Sequence, residues 1–503
     1  MSQPQLTGWL TVDFRAVNLA TLLREHATRR SGQVALRTKE NSWTWSELDA
    51  MVDRSAAALL AVGATKVAIV LPNTIDFVVA LLGSMRAGLL AIPVNPGFTE
   101  RELRHVLTDS GADLVIDTDH PLPLGGEVGE LPKDASEDHV PEDHVPEHHV
   151  PEEAVALLLY TSGTEGAPKG AMLTHRALIA NHRQIAEIKP PIMSADDIAL
   201  LALPLFHAYG LNSGLGAVLW YGACGVLSQE SDPLATAGLI ALHRITVVVG
   251  VPSMYHAWSE LPNAPELLRS LRLAVCGAAP LDPAVAEVFT ERTGVTVHIG
   301  YGLTETAPVL TSTLASSTIK PGSIGRPIPG VSLKLVNAFG EAVDDDPGYS
   351  SEDEGEIVVR GDNLFVGYWP DRRGGPGADG WWPTGDVAYA DADGDLFIVD
   401  RIGELIIVNG FNVYPAEVEH VLMAHPAVAE AAVLGVPDPA TGHAVHAYVV
   451  ADGSDGAVTE DDLRAHCAAN LARFKRPATI EFVAELPHSA IGKVRKKLLR
   501  DEP

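Results

Sequence analysis

LYTSGTEGAPKGAMLTH (159–175) carries an apolar strand straight into Thr161, Ser162, Gly163, Thr164, Glu165, Gly166, Ala167, Pro168, Lys169 and Gly170. Glycines let backbone N–H groups approach an anion, hydroxyls add donors, and a lysine adds positive charge. That is chemistry for a polyphosphate. The loop is not a Walker loop, because Lys169 stands between Pro168 and Gly170 where that loop has Gly-Lys-Ser/Thr, and it lacks G-x-G-x-x-G. On composition alone, a flexible surface turn is the competing reading.

Apolar runs like the one that enters this loop recur along the 503 residues: KVAIVLPN (66–73), ITVVVGVPS (245–253), LRLAVCGAA (271–279) and VTVHIGYG (295–302). Continuous Val/Ile/Leu runs indicate strands covered on both faces, as in layered α/β proteins. Several end in Gly, Pro, Ser or Thr, at the strand ends where open α/β sheets bind ligands. After Asp400 the chain changes character. DRIGELIIVNGFNVYPAEVEHVLMAHP (400–426) passes from a strand end through a Gly/Asn/Pro loop into an amphipathic helix. Two strand-like segments and a helix over about 459–473 follow, which predicts a small α+β domain over 401–503 after a large domain over 1–400.

Apolar residues form 46% of the chain and charged residues 20%, so an ample core is expected. A formal charge of −29 argues against a broad polyanion surface, and no nucleic-acid partner is expected. Three scattered cysteines, Cys224, Cys276 and Cys467, form no disulfide framework or zinc spacing. Those cysteines fit a reducing cytoplasm best, and the N-terminal MSQPQLTGWLTVDFR lacks a basic region followed by an apolar stretch of signal-peptide length. Ile198 to Gln229 holds no Asp, Glu, Lys or Arg, but five glycines and Pro204, His207 and Asn212 interrupt it. It reads as buried core and pocket wall, with no stable membrane insertion. SEDHVPEDHVPEHHVPEE (136–153) is a five-residue repeat whose prolines and charges deny it a helix or a core. It reads as a solvated linker, with metal binding by its histidines as the alternative.

The 159–175 string resembles the phosphate loop of the adenylate-forming superfamily, which includes acyl-CoA synthetases, luciferases and peptide-synthetase adenylation domains. Further motifs similar to that family's follow in order over nearly the whole chain, roughly 13 to 500. YGLTET (301–306) resembles its YGxTE motif. The resemblance implies that Tyr301 flanks adenine, Gly302 belongs to the nucleotide-binding set, Thr304 contacts the α-phosphate, and Glu305, with Thr164, holds Mg²⁺. A carboxylate beside a triphosphate needs such a cation between them. Gly277-Ala278-Ala279 looks like the adenine wall, Asp386 in WPTGD (382–386) like the ribose-binding aspartate, and Asp400-Arg401 like the hinge motif whose arginine reaches the nucleotide. PHSAIGK (487–493) resembles the segment whose lysine, here Lys493, reaches the carboxylate and α-phosphate.

The family's fold is then implied: two layered α/β sheets and a small β-barrel in the large domain, with a mobile C-terminal domain. So is its chemistry: ATP activates a carboxylic acid as the acyl-adenylate, and a thiol then takes the acyl group. Lys169, Glu305, His207 and Lys493 are the implied catalytic residues. Phe206-His207 opens the implied acyl pocket, with Gly210, Leu211, Asn212, Val251, Tyr255 and Gly300 as further walls. Amino-acid-activating relatives have an aspartate at the position of His207 and malonate-using relatives an arginine at that of Gly300, so a neutral apolar acid, fatty or aryl, is expected. Gly410-Phe411-Asn412 and Lys475 resemble the coenzyme A side; loading of a carrier-protein phosphopantetheine is the alternative, and an idle adenylate-binding scaffold another. The pivot position, usually Asp or Lys, is Gly403. Gly403→Asp is expected to change the balance of the two half-reactions without abolishing either; equal rates for both variants in each half-reaction would contradict this. Oligomeric state is not legible.

Overall fold

The computed structural model describes residues 18–121, 150–161, 168–230, 232–337, 340–343, 354–401, 404, 406–408, 411–438, 442–453, 458–488 and 494–500. Four sheets organise them. In the first, Leu114–Ile116, Lys66–Ile69, Leu90–Pro93 and Val155–Thr161 lie parallel, and Lys169–Thr174 closes the edge antiparallel. The second has nine strands around a parallel centre, with Val297–Gly302, Leu273–Cys276, Val247–Gly250 and Ile198–Leu201 side by side. Each apolar run named above becomes one of these strands. Their parallel pairing explains the unbroken apolar pattern, since crossover helices bury both faces.

Between the layers, Ile75–Arg86 is buried at every position except Asp76. A helix apolar on all sides belongs in such a place. Its Gly83 permits the close approach of Trp45–Ala61, because a Cβ there would sit 2.2 Å from Ser55 Oγ. Capping boxes set the starts of Trp45–Ala61, through Thr44 and Glu47, and of Glu100–Ser110, through Thr99 and Glu102. The third sheet, Ser332–Val336, Gly355–Arg360, Trp382–Ala390 and Leu396–Arg401, is antiparallel and stands where the small barrel is expected. The fourth, built from segments after 405, pairs Val428–Asp438 with Gly442–Ala451 and packs Pro415–Met423 and Glu460–Asn470 over its own core around Val413, Val433 and Leu463.

The charge-free stretch 198–229 divides into a strand, a π-helical turn over Tyr209–Gly216, a short helix Ala217–Tyr221 and the strand Cys224–Leu227. Among the described residues no helix is long and apolar enough to cross a membrane. Residues 136–149 of the five-residue repeat lie outside the described residues.

Three buried histidines couple the fold to pH. Burial lowers the pKa of His26, His175 and His182 to about 4 each. The unfolded chain binds protons at these positions from about pH 6.5 downward, while the native state resists until about 4. Stability should therefore fall as pH drops from about 6.5 to 4, by up to roughly 3 kcal/mol per histidine. Urea unfolding across that range, with His175→Asn as the comparison, is the check; a pH-independent midpoint would contradict it.

Candidate active site

Thr161 pairs with Lys169 across an antiparallel ladder, so the two strands that flank the glycine-rich loop are fixed by the first sheet. Ser162, Gly163, Thr164 and Gly166 lie outside the described residues. Tyr160, Thr161, Pro168 and Lys169 line a cavity of about 890 Å³. The segment 366–369 clamps the Lys169 stem from the other side: the Met172 N–H donates to Gly367 O at 3.1 Å and the Trp369 N–H to Gly170 O at 2.8 Å.

Opposite these strands, Val297–Gly302 delivers Gly300, Tyr301 and Gly302 to the same cavity, and the turn after it delivers Thr304 and Glu305. Only glycine fits at 302, since a Cβ there would lie 1.7 Å from Pro308 O. Glu305 is 7% exposed, and Tyr368 Oη donates to its Oε1 at 2.7 Å. The Lys169 ammonium stands 5.6 Å from the centre of the Tyr368 ring. Tyr368 thus joins the carboxylate to the loop lysine. It is a site residue that sequence reasoning missed; the only signal for it is the aromatic pair after Gly367.

Tyr301 Oη donates to Asp386 Oδ2 at 2.6 Å, bringing the two motif residues together from different sheets. Asp386 itself is 3% exposed, and Thr384 rather than Asp386 lines the cavity. Beside them, burial raises the pKa of the Glu356 carboxyl; a bond from the Gly385 N–H opposes this, and the Asp386 charge adds to it. Arg401 ends the strand paired to Asp386, with its backbone opposite that residue. Ala278 lines the cavity with a left-handed backbone, φ 70°. Gly277 lies just behind it, where a Cβ would come within 3.0 Å of the Tyr209 ring. Neither Gly277 nor Ala279 is a wall residue.

The acyl wall departs furthest from the expected residues. His207 and Gly300 line the cavity, but Gly210, Leu211, Asn212, Val251 and Tyr255 do not. Asn212 is core: it donates to Leu178 O and Ala307 O and accepts from His182 Nε2 at 3.0 Å. Leu211 is fully buried, and Gly210 presses on Pro204 O. Tyr255 packs on Trp258 and Phe289 and donates to Val275 O at 2.8 Å, behind the sheet. Val251 turns out of register to pack on Leu203 and Tyr209. The wall is made instead by alternate strand residues, Val247 and Val249 with Leu273 and Val275, and by Ile185, Ile188, Ile192 and Met193. Sequence could supply the period of two but not the face.

From the C-terminal unit, Glu404, Leu434, His488, Val494, Arg495 and Lys496 reach the same cavity. Lys493, Gly403 and Gly410 lie outside the described residues. The Arg495 guanidinium bridges to Glu102 at 3.6 Å, joining the C-terminal segment to the helix Glu100–Ser110. Burial works against the Lys496 ammonium, but Glu419 and Glu404 at 2.8 and 2.6 Å outweigh it and hold its pKa above the usual value. The backbone of Phe411 belongs to the fourth sheet. Lys475, expected on the coenzyme A side, is away from the cavity and paired with Glu417 at 2.6 Å. The trio Asp391, Asp393 and Asp395 closes on the Lys320 ammonium at 2.5, 2.6 and 3.2 Å, which sets a cation of the protein's own among them.

The two stems of the glycine-rich loop, a buried carboxylate, a tyrosine tied to Asp386 and an apolar recess therefore converge on one cavity. The AMP-binding enzyme family matches residues 23–369, and the AMP-binding enzyme C-terminal domain matches residues 417–493. The chain is 34% identical to a long-chain-fatty-acid–CoA ligase of Salmonella typhimurium, over 97% of this chain and 95% of that one. It is 38% identical to a feruloyl-CoA synthase of an Amycolatopsis species, over 93% and 95%. Among solved structures, ATP-bound MatB from Rhodopseudomonas palustris superposes with a TM-score of 0.84 at 30% identity, over 96% of this chain and 98% of that one. For the apo form of the same protein the score is 0.71, so the arrangement seen here is nearer the ATP-bound one. O-succinylbenzoate coenzyme A synthetase from Bacillus subtilis, bound to ATP and magnesium, gives 0.80 at 30% identity, over 95% and 99%. The chain belongs to the AMP-binding, adenylate-forming enzymes, and within them to the AMP-forming acyl-CoA synthetases.

Proposed function

We propose that this acyl-CoA synthetase takes a neutral, largely apolar carboxylic acid, with a fatty acid as the first reading, and works in the cytoplasm. One observation carries the substrate class: the recess walled by Ile185, Ile188, Ile192, Met193, Val247 and Val249 presents no formal charge. The relatives named as long-chain-fatty-acid–CoA ligases favour the same class. An aryl acid is the second reading, favoured by the relative named feruloyl-CoA synthase. The compartment rests on three cysteines that are all buried and unbridged. A division near 400 into a large and a small domain is supported by the separate core of the fourth sheet.

In the first step a carboxylate oxygen attacks the α-phosphorus of ATP and pyrophosphate leaves. Both reactants are anions, so positioning and charge neutralisation are what the protein supplies. Lys169 and the glycine-rich loop hold the phosphates, Lys493 meets the attacking carboxylate, and His207 stands at the mouth of the acyl recess. Glu305 offers a hard, buried oxygen donor at the cavity wall, which fits Mg²⁺ and the charge neutralisation that ion supplies to a triphosphate. In the second step the coenzyme A sulfur attacks the acyl carbon and AMP leaves. Asp386 and Tyr301 keep the nucleotide oriented through both steps.

Turnover of matched alkyl and aryl acids, with thioester identified by mass spectrometry, tests the substrate class; charged acids as the best substrates would contradict it. Gly300→Arg is a sharper check. A Cβ at 300 meets nothing nearer than 3.9 Å, so the longer side chain enters the cavity and not the core. An unpaired guanidinium in an apolar wall should lower kcat/KM for neutral acids by at least about 100-fold. Unchanged kinetics would place the acyl group elsewhere.

A further inference from the structure

The helix Glu100–Ser110 packs against the two strands that flank the glycine-rich loop. Glu102, His105, Val106 and Asp109 follow the i, i+3, i+4, i+7 spacing that puts residues on one helix face. Val106 is the packing residue of that face: it is 1% exposed and sits with Leu158 and Met172, one from each strand. His105 and Asp109 flank it, one turn apart, and each takes hold of a different strand.

His105 Nε2 lies 3.1 Å from Pro168 O. A carbonyl only accepts, so Nε2 carries the proton and donates. Pro168 stands just beyond the last pair of the ladder, Thr161 with Lys169. Proline has no N–H, which leaves its carbonyl as the one backbone group by which this position can be tethered. On the other strand, Tyr160 Oη donates to Asp109 Oδ2 at 2.6 Å. Burial, reinforced by that bond, pushes the Tyr160 phenol above its ordinary pKa and keeps it a donor. The Trp369 indole N–H adds a bond to Asp109 O at 2.9 Å, and the His105 and Tyr160 rings meet edge to face at 6.3 Å. One helical turn thus holds the residue before Thr161 and the residue before Lys169.

We propose that His105 is a positioning residue for the first half-reaction, fixing the Lys169 end of the glycine-rich loop through Pro168 O while Asp109 fixes the Thr161 end through Tyr160. This rests on the reading of that loop as the holder of the ATP phosphates. Gly163 and Gly166 stand between the two ends in sequence. Glycine loses more conformational freedom than other residues when its backbone is fixed, so tethered ends lower the cost of ordering such a segment around an anion. Pyrophosphate leaves in the first step. The tether therefore acts on adenylate formation and not on thiolysis.

The test measures KM for ATP in pyrophosphate release and, separately, thioester formation from supplied acyl-adenylate. His105→Phe keeps a ring beside Tyr160 but has no donor, and should raise KM for ATP by about fivefold or more with thioester formation within about twofold of wild type. His105→Gln, which can return an N–H near the place of Nε2, should bring KM to within about twofold of wild type. Asp109→Ala removes the second tether, keeps the carbonyl that takes the Trp369 N–H, and should give the same split at about threefold. An unchanged KM for ATP in His105→Phe, a His105→Gln as impaired as His105→Phe, or equal losses in both half-reactions would overturn the proposal. Lys169→Ala separates the two levels. If it is impaired for ATP while His105→Phe is not, the proposal alone falls; if its KM for ATP is unchanged, the phosphate-loop reading falls and the proposal with it.

Discussion

Lys493→Ala should lower the rate of acyl-adenylate formation by about 10²–10³-fold, and leave conversion of supplied acyl-adenylate to thioester within about threefold of wild type. The magnitude follows from charge. Two unit charges about 4 Å apart at an effective dielectric near 20 interact by roughly 4 kcal/mol, close to a thousandfold in rate when the interaction exists only during attack. The asymmetry follows from placement. Val494 and Arg495, which follow Lys493 directly, line the cavity in the arrangement described here, with Arg495 bridging to Glu102. The face carrying Lys475 points elsewhere, its ammonium engaged by Glu417. In this arrangement the Lys475 face does not serve the cavity. Single-turnover pyrophosphate release and thioester formation, measured separately, check this. Equal losses in both half-reactions would mean that Lys493 contributes to the fold of its segment, not to the first transition state.

Glu305→Gln should lower kcat/KM for ATP by about 100-fold and raise the Mg²⁺ concentration for half-maximal rate at least about tenfold. The substitution is close to isosteric, and the amide oxygen can still accept from Tyr368 Oη. What is removed is the negative charge of a side chain only 7% exposed at the cavity wall. If the carboxylate were structural, a favoured anion near the start of a short helical turn, the melting temperature would fall and the Mg²⁺ dependence would not move. Tyr368→Phe separates the parts further: it frees the carboxylate from its hydrogen bond but keeps the ring near Lys169, and should cost about tenfold.

How far the sequence could be read divides along physical lines. Strands were visible because a parallel sheet buried on both faces imposes an unbroken apolar run; KVAIVLPN and LRLAVCGAA become Lys66–Ile69 and Leu273–Cys276. The motif residues were legible because their order along the chain is informative. Lys169, Ala278, Tyr301 and Glu305, more than a hundred residues apart at the extremes, meet at one cavity. The acyl wall was not legible. Proximity to His207 suggested Gly210, Leu211 and Asn212, but the π-helical winding turns those positions into the core and presents Ser213, Ala217 and Tyr221. Tyr255 failed for a related reason: its helix, Pro252–Glu260, packs that side chain on the opposite face of the sheet. Tyr368 was hidden because its role comes only from the clamp that 366–369 makes on the Lys169 strand. Which side of an element faces a cavity is a tertiary fact, and a single sequence carries little of it.

This chain joins an acid to coenzyme A through an acyl-adenylate. The most direct measurement uses an acid labelled with oxygen-18 in both carboxyl oxygens, incubated with the protein, ATP, Mg²⁺ and coenzyme A. Attack by a carboxylate oxygen on the α-phosphorus, followed by thiolysis at the acyl carbon, leaves one labelled oxygen on AMP for each thioester formed. Label found one-for-one in AMP, with unlabelled pyrophosphate, is the predicted result. Label in inorganic phosphate, with ADP as the nucleotide product, would mean an acyl-phosphate route and would contradict the account.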